Sequence, residues 1–352
     1  MDDGDRLGKA DRGFFDDVVY PNLGADRDDV ALGPQHGVDF GVLDVGGRAL
    51  VAATDPLSVL PDLGFERAGR FALAFALADV AVAGVAPTHI CPSFALPAGI
   101  TDDEFAALWT AMSDECADLG VAVATGHTAR YPAASYPWVG AATVLGVADH
   151  DDLVRPDGAR PGDRVVVTNG PAVETAGLLA TLYPEAFASL DESTLRDAQA
   201  CLDEVGVVRD ALAAADAGRA ASTDSDGDSG GVTAMHDATE GGLRGALCET
   251  ARAAGVRFDV DADAVPSLPG AVATCEALGL DPWNCTTSGT LIVTVRPGAA
   301  DAVVSALTDR GTPAAVVGDV SAGSGVYVDG DRVEPPAEDE SWAAYEALSG
   351  QR

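Results

Sequence analysis

A two-domain α/β (α+β) fold, with mixed sheets packed against helices, is predicted by three observations. The chain outgrows one core, strand-like and helix-like apolar runs interleave in both halves, and a segment rich in Asp, Pro, Gly and Arg separates them. At 352 residues the chain passes the size at which a single core stops growing, and its 47% apolar content suffices for two. The break falls at Asp149 to Asp163. The division expected is an arm over residues 1–29, a first domain over 30–150, a second over 151–335 and a tail over 336–352.

In the arm, a short helix is expected near Phe14 to Val19. The first domain should carry strands at Val38 to Val45 and Ala49 to Thr54, a helix from Gly69 to Gly84, and a strand at Thr88 to Ala95. A helix from Asp102 to Leu119 follows, opened by Thr101 with Glu104 at its third position, the spacing of a reciprocal capping box. Strands at Val121 to Thr125 and Ala141 to Val147 close this domain. The second should have a strand at Arg164 to Thr168, helices within Ala172 to Ala217, and an irregular polar stretch from Ala221 to Gly231. A helix at Leu243 to Ala254, strands at Arg257 to Val260 and Thr290 to Val295, a helix at Ala299 to Arg310 and a strand at Ala314 to Val320 complete it.

With 21 basic against 56 acidic residues the net charge is -35, yet apolar residues are too plentiful for a disordered chain. Nucleic acid is not an expected partner, because phosphate binding needs clustered Lys and Arg, and the only lysine is Lys9. An Asp-rich, lysine-poor surface resembles that of salt-adapted proteins. At molar salt the Debye length falls to about 3 Å, which screens repulsion between surface acids. Folding is therefore expected to need high salt: the circular dichroism melting midpoint should rise from dilute buffer to concentrated KCl, and an unchanged midpoint would refute this. The six cysteines stand singly with no CxxC pair, which argues against zinc ribbons and redox motifs. No uncharged apolar run is long enough to span a membrane, and Met1-Asp2-Asp3-Gly4-Asp5 is the opposite of a basic signal peptide. A cytoplasmic protein with reduced thiols is expected.

Asp79 is the most informative single residue, since Phe71 to Val85 reads as a helix buried all round. A carboxylate there must be protonated, paired or metal-bound; capping of a neighbouring turn or pairing with an arginine is the plainer alternative. Asp39 opens one strand-like run, and Asp55 follows Leu50 to Thr54 and precedes Pro56. Singly, these two are better explained by turn chemistry. Together, Asp39, Asp55 and Asp79 suit magnesium, which takes one or two carboxylates, waters and substrate phosphates. Thr125-Gly126-His127-Thr128 follows an apolar run, so Gly126 and Thr128 are expected to present backbone N–H and hydroxyl groups to phosphate. His127 reads as a proton shuttle, a phosphate donor or a loop histidine.

The run His236-Asp237-Ala238-Thr239-Glu240-Gly241-Gly242 leads into a helix, whose N-terminus is suited to anions. Plain capping by Asp237 or Thr239 is the alternative. His127 and His236 are the candidate catalytic histidines, and Asp237, Thr239, Glu240, Gly241 and Gly242 the candidate nucleotide contacts here. Acids beside an anion site favour a magnesium-bridged nucleotide. Gly227-Asp228-Ser229-Gly230-Gly231 matches the nucleophile signature of trypsin-like proteases, but a mixed α/β chain lacks the double β-barrel that such a triad needs. No P-loop, kinase-type strand lysine or GxGxxG fingerprint is present.

The order of the pieces resembles a known superfamily. Gly37-Val38-Asp39, Thr54-Asp55-Pro56, Ala78-Asp79 through Gly84, Gly126-His127-Thr128, Met235-His236 through Gly242 and Thr287-Ser288-Gly289-Thr290-Leu291 occur in that sequence. They are similar to the motifs of the PurM-like group: aminoimidazole ribonucleotide synthetase, thiamine monophosphate kinase, selenophosphate synthetase and the hydrogenase maturation factor HypE. The fifth piece looks most like HypE. The resemblance implies a homodimer paired through N-terminal domains, with ATP and Mg2+ held between domains by residues including Asp39, Asp55 and Asp79. It further implies ATP-dependent phosphorylation that activates an oxygen of a small-molecule or protein substrate. HypE-type members use a carboxyl-terminal cysteine, whereas no cysteine follows Cys285, so an unknown second substrate is expected. A non-catalytic nucleotide-binding or assembly protein is the competing expectation, and an acidic calcium-binding surface protein the third.

Overall fold

The computed structural model describes residues 12–222 and 231–350. Lys9, Gln351, Arg352 and all of the protease-like pentapeptide except Gly231 lie outside the described residues. In the first half, β1 (Val30–Leu32), β2 (Gly41–Val45), β3 (Arg48–Ser58), β4 (Pro87–Pro97), β5 (Ala122–Val123), β6 (His127–Tyr131) and β7 (Trp138–Ala148) form one sheet. Its order is β1-β2-β3-β7-β4-β5, with β6 also on β4. In the second half, β8 (Arg164–Thr168), β9 (Val232–Ala238), β10 (Arg257–Val260), β11 (Thr290–Val295), β12 (Ala314–Ser321), β13 (Gly325–Val328) and β14 (Asp331–Val333) form another. That sheet runs β14-β13-β10-β12-β8-β11-β9.

The helices are α1 (Arg12–Phe14), α2 (Phe65–Ala81), α3 (Asp102–Leu119), α4 (Val173–Leu182), α5 (Glu192–Ala200) and α6 (Val208–Ala221). They continue with α7 (Gly242–Ala254), α8 (Ala271–Leu278), α9 (Pro297–Thr308) and α10 (Glu340–Ser349). Short π and 3-10 turns extend α1 to Asn22, which accounts for the helix expected there. The α3 capping box forms as its sequence requires: Glu104 N donates to Thr101 Oγ1 at 3.2 Å, and Thr101 N donates back to Glu104 at 2.8 Å. Alanine and leucine alternate through α2, both strong helix formers, and the helix buries most of its circumference. Gly69 lets α3 approach closely, since a Cβ there would stand 2.6 Å from the Leu108 carbonyl oxygen.

One apolar cluster draws on both halves, with Leu77 and Val80 of α2, Ala211 of α6, Met235 of β9 and Leu291 of β11 all buried in it. The cores of the two sheets are therefore continuous where α2 meets α6 and β9.

Several expected boundaries move. The strand expected to end at Thr54 continues through Asp55 and Pro56, which lie opposite Ala142 and Ala141 of β7. Strand β2 covers β3 only as far as Ala52, so Pro56 sits on a free edge where its missing N–H breaks no ladder bond. The expected Val121–Thr125 strand shrinks to Ala122–Val123, and His127 and Thr128 of the glycine turn after it open β6, parallel to Ser93–Pro97 of β4. The run His236 to Ala238 belongs to β9 and is not a turn. The segment expected as a tail contains α10, with Ser341 and Ala344 buried.

Candidate functional site

A cavity of about 1250 Å³ opens between the halves. Its walls are the segment from Pro34 to Gly41, the middle of β3, the inner face of α2, the start of α4, the turn after β9, and α10. Six acids line it: Asp39, Asp55, Asp79, Glu174, Asp237 and Glu240. Among the described lining residues none is Lys or Arg.

Asp39 sits just before β2 and Asp55 in mid-β3, while Asp79 projects from α2 at only 9% exposure. Each comes from a different element, and all three reach the same space. His236 and Asp237, neighbours on β9, both bring side-chain atoms close to Asp39. Asp237 lines the cavity; His236 does not.

His236 is 4% exposed, with Nδ1 2.6 Å from Asp39 Oδ2 and Nε2 3.0 Å from Glu249 Oε2. Burial disfavours its charge, but the Asp39 charge and hydrogen bond, followed by those of Glu249, outweigh it and hold the imidazole well above its ordinary range. The ring is thus an imidazolium donating from both nitrogens to two carboxylates. Expected as a catalytic candidate, His236 has both nitrogens occupied by hydrogen bonds that tie Asp39 of the first half to β9 and α7 of the second.

The glycine pair also differs from expectation. Gly241 and Gly242 adopt left-handed backbone (φ +80° and +63°) at the head of α7. Gly241 N donates to Asp339 Oδ2 at 2.7 Å, and Gly242 N closes on the Thr239 carbonyl at 3.1 Å. Both N–H groups expected to meet phosphate are therefore used internally, and neither glycine lines the cavity. Thr239 and Glu240, just before them, do.

Gly126, His127 and Thr128 lie on an exposed edge of the first sheet, outside the cavity lining, with His127 Nε2 3.1 Å from the Tyr131 hydroxyl. Nothing in a single chain brings them to Asp39.

Glu174, in the first turn of α4, escaped the sequence reading. It keeps an edge on the cavity but is otherwise enclosed, and burial pushes its carboxyl up to about 7; Ser288 offsets part of this, while the charges of Asp339 and Glu240 add to it. A signal was present. Glu174 is the only charge in the apolar run Val173 to Leu182, the same pattern that singled out Asp79. Asp339 was also missed; it caps α10 through Ser341 N at 2.8 Å and accepts from Thr286 Oγ1 at 2.8 Å.

For a divalent ion, Asp39, His236 and Asp237 place ligand atoms all within 4.8 Å of one another. Since both nitrogens of His236 are engaged, Asp39 and Asp237 are the oxygen donors of that cluster. Asp55 and Asp79 face the same cavity but stand outside this tight group, so the three aspartates expected around one ion do not form one compact set. Hard oxygen donors, two per ion, fit magnesium.

Fold and cavity define a class: a two-sheet α/β protein with an acid-lined cleft between halves that share a core. Residues 37–148 match the family described as AIR synthase related protein, N-terminal domain, and residues 160–331 match its C-terminal domain. The chain belongs to the AIR synthase related family. It is 30% identical to carbamoyl dehydratase HypE of Rhizobium leguminosarum bv. viciae over 83% of this chain and 79% of that protein. It is also 30% identical to a selenide, water dikinase of Geobacter metallireducens, over 87% and 91% respectively. The fold matches that of a hydrogenase maturation protein HypE solved in complex with ATP, at a TM-score of 0.68 and 22% identity over 95% and 97% of the two chains. It likewise matches thiamine monophosphate kinase from Aquifex aeolicus, at 0.67 and 19% over 92% and 98%.

Proposed function

We propose that this chain is an ATP- and magnesium-dependent enzyme that phosphorylates, and so activates, an oxygen of a small or carrier-bound substrate. One observation carries the reading: Asp39, Asp55, Asp79 and Asp237, from four elements of both halves, line a single cavity. Asp39 and Asp237 would hold magnesium. When bound, that ion supplies neutralisation of phosphate charge. The His236 imidazolium keeps Asp39 in place, and Asp55 and Asp79 lie on the same wall to receive further metal or metal-bound water. Positioning and charge account for most phosphoryl-transfer catalysis, which makes such preorganisation the protein's main contribution. Family membership and the ATP complex of a fold neighbour support the nucleotide.

Calorimetry with ATP, with and without magnesium, tests the reading, followed by product analysis against a metabolite pool. Saturable magnesium-dependent binding and ADP formation are expected. Binding without any ADP or AMP would leave a nucleotide-binding scaffold, and no binding would end the proposal.

A homodimer through the first sheet belongs to the same reading. Val45, Val123, Tyr131 and Val147 are exposed on its strands, and Gly126, His127 and Thr128 share its edge, where a second copy would cover them. Light scattering should give twice the chain mass, and Val123→Glu with Val147→Glu should halve it; a monomeric wild type would refute the dimer. Action in the cytoplasm is likewise proposed, consistent with six free cysteines, and no described helix is long and apolar enough to cross a membrane.

Glu174 gives a pH signature. Its native value of about 7 lies above the ordinary 4.5, so the folded chain keeps a proton that the unfolded chain has released. The contribution to stability is full below about 4.5 and is lost as pH rises through about 7. Urea midpoints of the wild type should fall across that window relative to Glu174→Gln. Parallel pH profiles for the two proteins would show that Glu174 is not shifted.

A further inference from the structure

The end of the cavity away from Asp39 is built from different chemistry. Phe71, Phe75 and Asp79 recur at four-residue spacing on α2, so they form one stripe on which Phe71 and Asp79 stand roughly 12 Å apart at 1.5 Å per residue. The Phe71 and Phe75 rings meet edge to face with centroids 4.9 Å apart. Glu174 and Leu178 line the same cavity at the same spacing on α4, and Trp342 and Tyr345 line it from α10. Phe71, Leu178 and Tyr345 belong to one apolar cluster, which closes this end.

Two polar atoms in this wall are buried with no hydrogen-bond partner: Trp342 Nε1 and the Tyr345 hydroxyl. Ser288 is 4% exposed and lies against Glu174. Buried polar atoms are nearly always satisfied, so unsatisfied ones gathered on one cavity wall point to a ligand that completes them. Space is available, because about 1250 Å³ exceeds the roughly 300–1,000 Å³ of an ordinary ligand pocket, leaving room for a second molecule beside a nucleotide.

We propose that Phe71, Phe75, Glu174, Ser288, Trp342 and Tyr345 form the subsite for the second substrate, and that this substrate is an organic cation, an ammonium or amidinium group on an apolar body. The inference rests on the ATP-dependent reading above. Aromatic faces attract cations through their quadrupole, and the Glu174 carboxylate supplies a charge-assisted hydrogen bond. Indole N–H only donates, so the same molecule must also offer Trp342 an acceptor oxygen. The Tyr345 hydroxyl accepts from the cation or donates to that oxygen.

Phenylalaninol carries an ammonium group, a hydroxyl oxygen and an apolar ring; 3-phenylpropan-1-ol is its neutral counterpart. Calorimetry of the full chain at pH 8 with each probe, and separately with magnesium and ATP, tests the inference. Wild-type protein should bind phenylalaninol at least tenfold tighter than the neutral alcohol, and Glu174→Gln should erase that preference. Equal affinity for the two, no binding of either, or a preference that survives Glu174→Gln would overturn it. Should the variant fail to fold, the two wild-type titrations decide alone. ATP binding without a cation preference sinks this subsite only, whereas a cation preference without ATP binding sinks the enzymatic reading and leaves the subsite.

Discussion

Asp79→Asn is expected to weaken binding of ATP with magnesium on the order of 100-fold, about 2.8 kcal/mol, while leaving the fold intact. Asparagine keeps the size and one carbonyl oxygen of the native side chain but removes the negative charge. Asp79 is 9% exposed on a helix otherwise buried in apolar contacts, and its carboxylate lines the cavity. Its place on the cavity wall is the reason it is proposed as a contact of the magnesium-bound nucleotide. Calorimetry of the variant beside the wild type measures the loss, with circular dichroism to verify the fold. Unchanged affinity in a folded variant would remove Asp79 from the site and weaken the enzymatic reading with it.

His236→Gln should cost roughly 3–5 kcal/mol of stability, the range for removing one partner of a buried ion pair. The His236, Asp39 and Glu249 side chains are only 5%, 12% and 14% exposed, so two carboxylates would be left facing a neutral amide with little water to solvate them. Urea denaturation followed by tryptophan fluorescence reports the change. Pairing the substitution with Glu249→Gln should recover part of the loss, because the two sites share one interaction. A loss below about 1 kcal/mol for the single variant would mean that the imidazolium does not hold these acids together.

Where local chemistry is self-contained, the sequence was readable. Thr101 and Glu104 place the start of α3 without help from the rest of the chain, and the continuous apolar run Val165 to Val167 marks β8. The buried charge on α2 led directly to the cavity. Strand β9 was hidden because His236 and Asp237 interrupt its apolar run; the burial of His236 is compensated by Asp39 and Glu249, partners that no local pattern announces. The ends of β3 were misread for a related reason: Pro56 breaks a strand only where a neighbour needs its N–H, and the reach of β2 is a tertiary fact. Helix α10 looked like a tail because its docking depends on Asp339 meeting Gly241 and Thr286, residues more than fifty positions away. Glu174 carried the same mark as Asp79, a single charge within an apolar helical run.

The shared cluster around Val80, Met235 and Leu291, together with the acid–imidazolium–acid bridge beside it, makes the two halves a single mechanical body. Hinge opening would have to tear a dry core and strand buried ions, so traffic of small molecules in and out cannot rely on the halves swinging apart. Exchange must instead depend on lining pieces outside that shared core, such as α10 and the segment ahead of β2, and on how readily they yield.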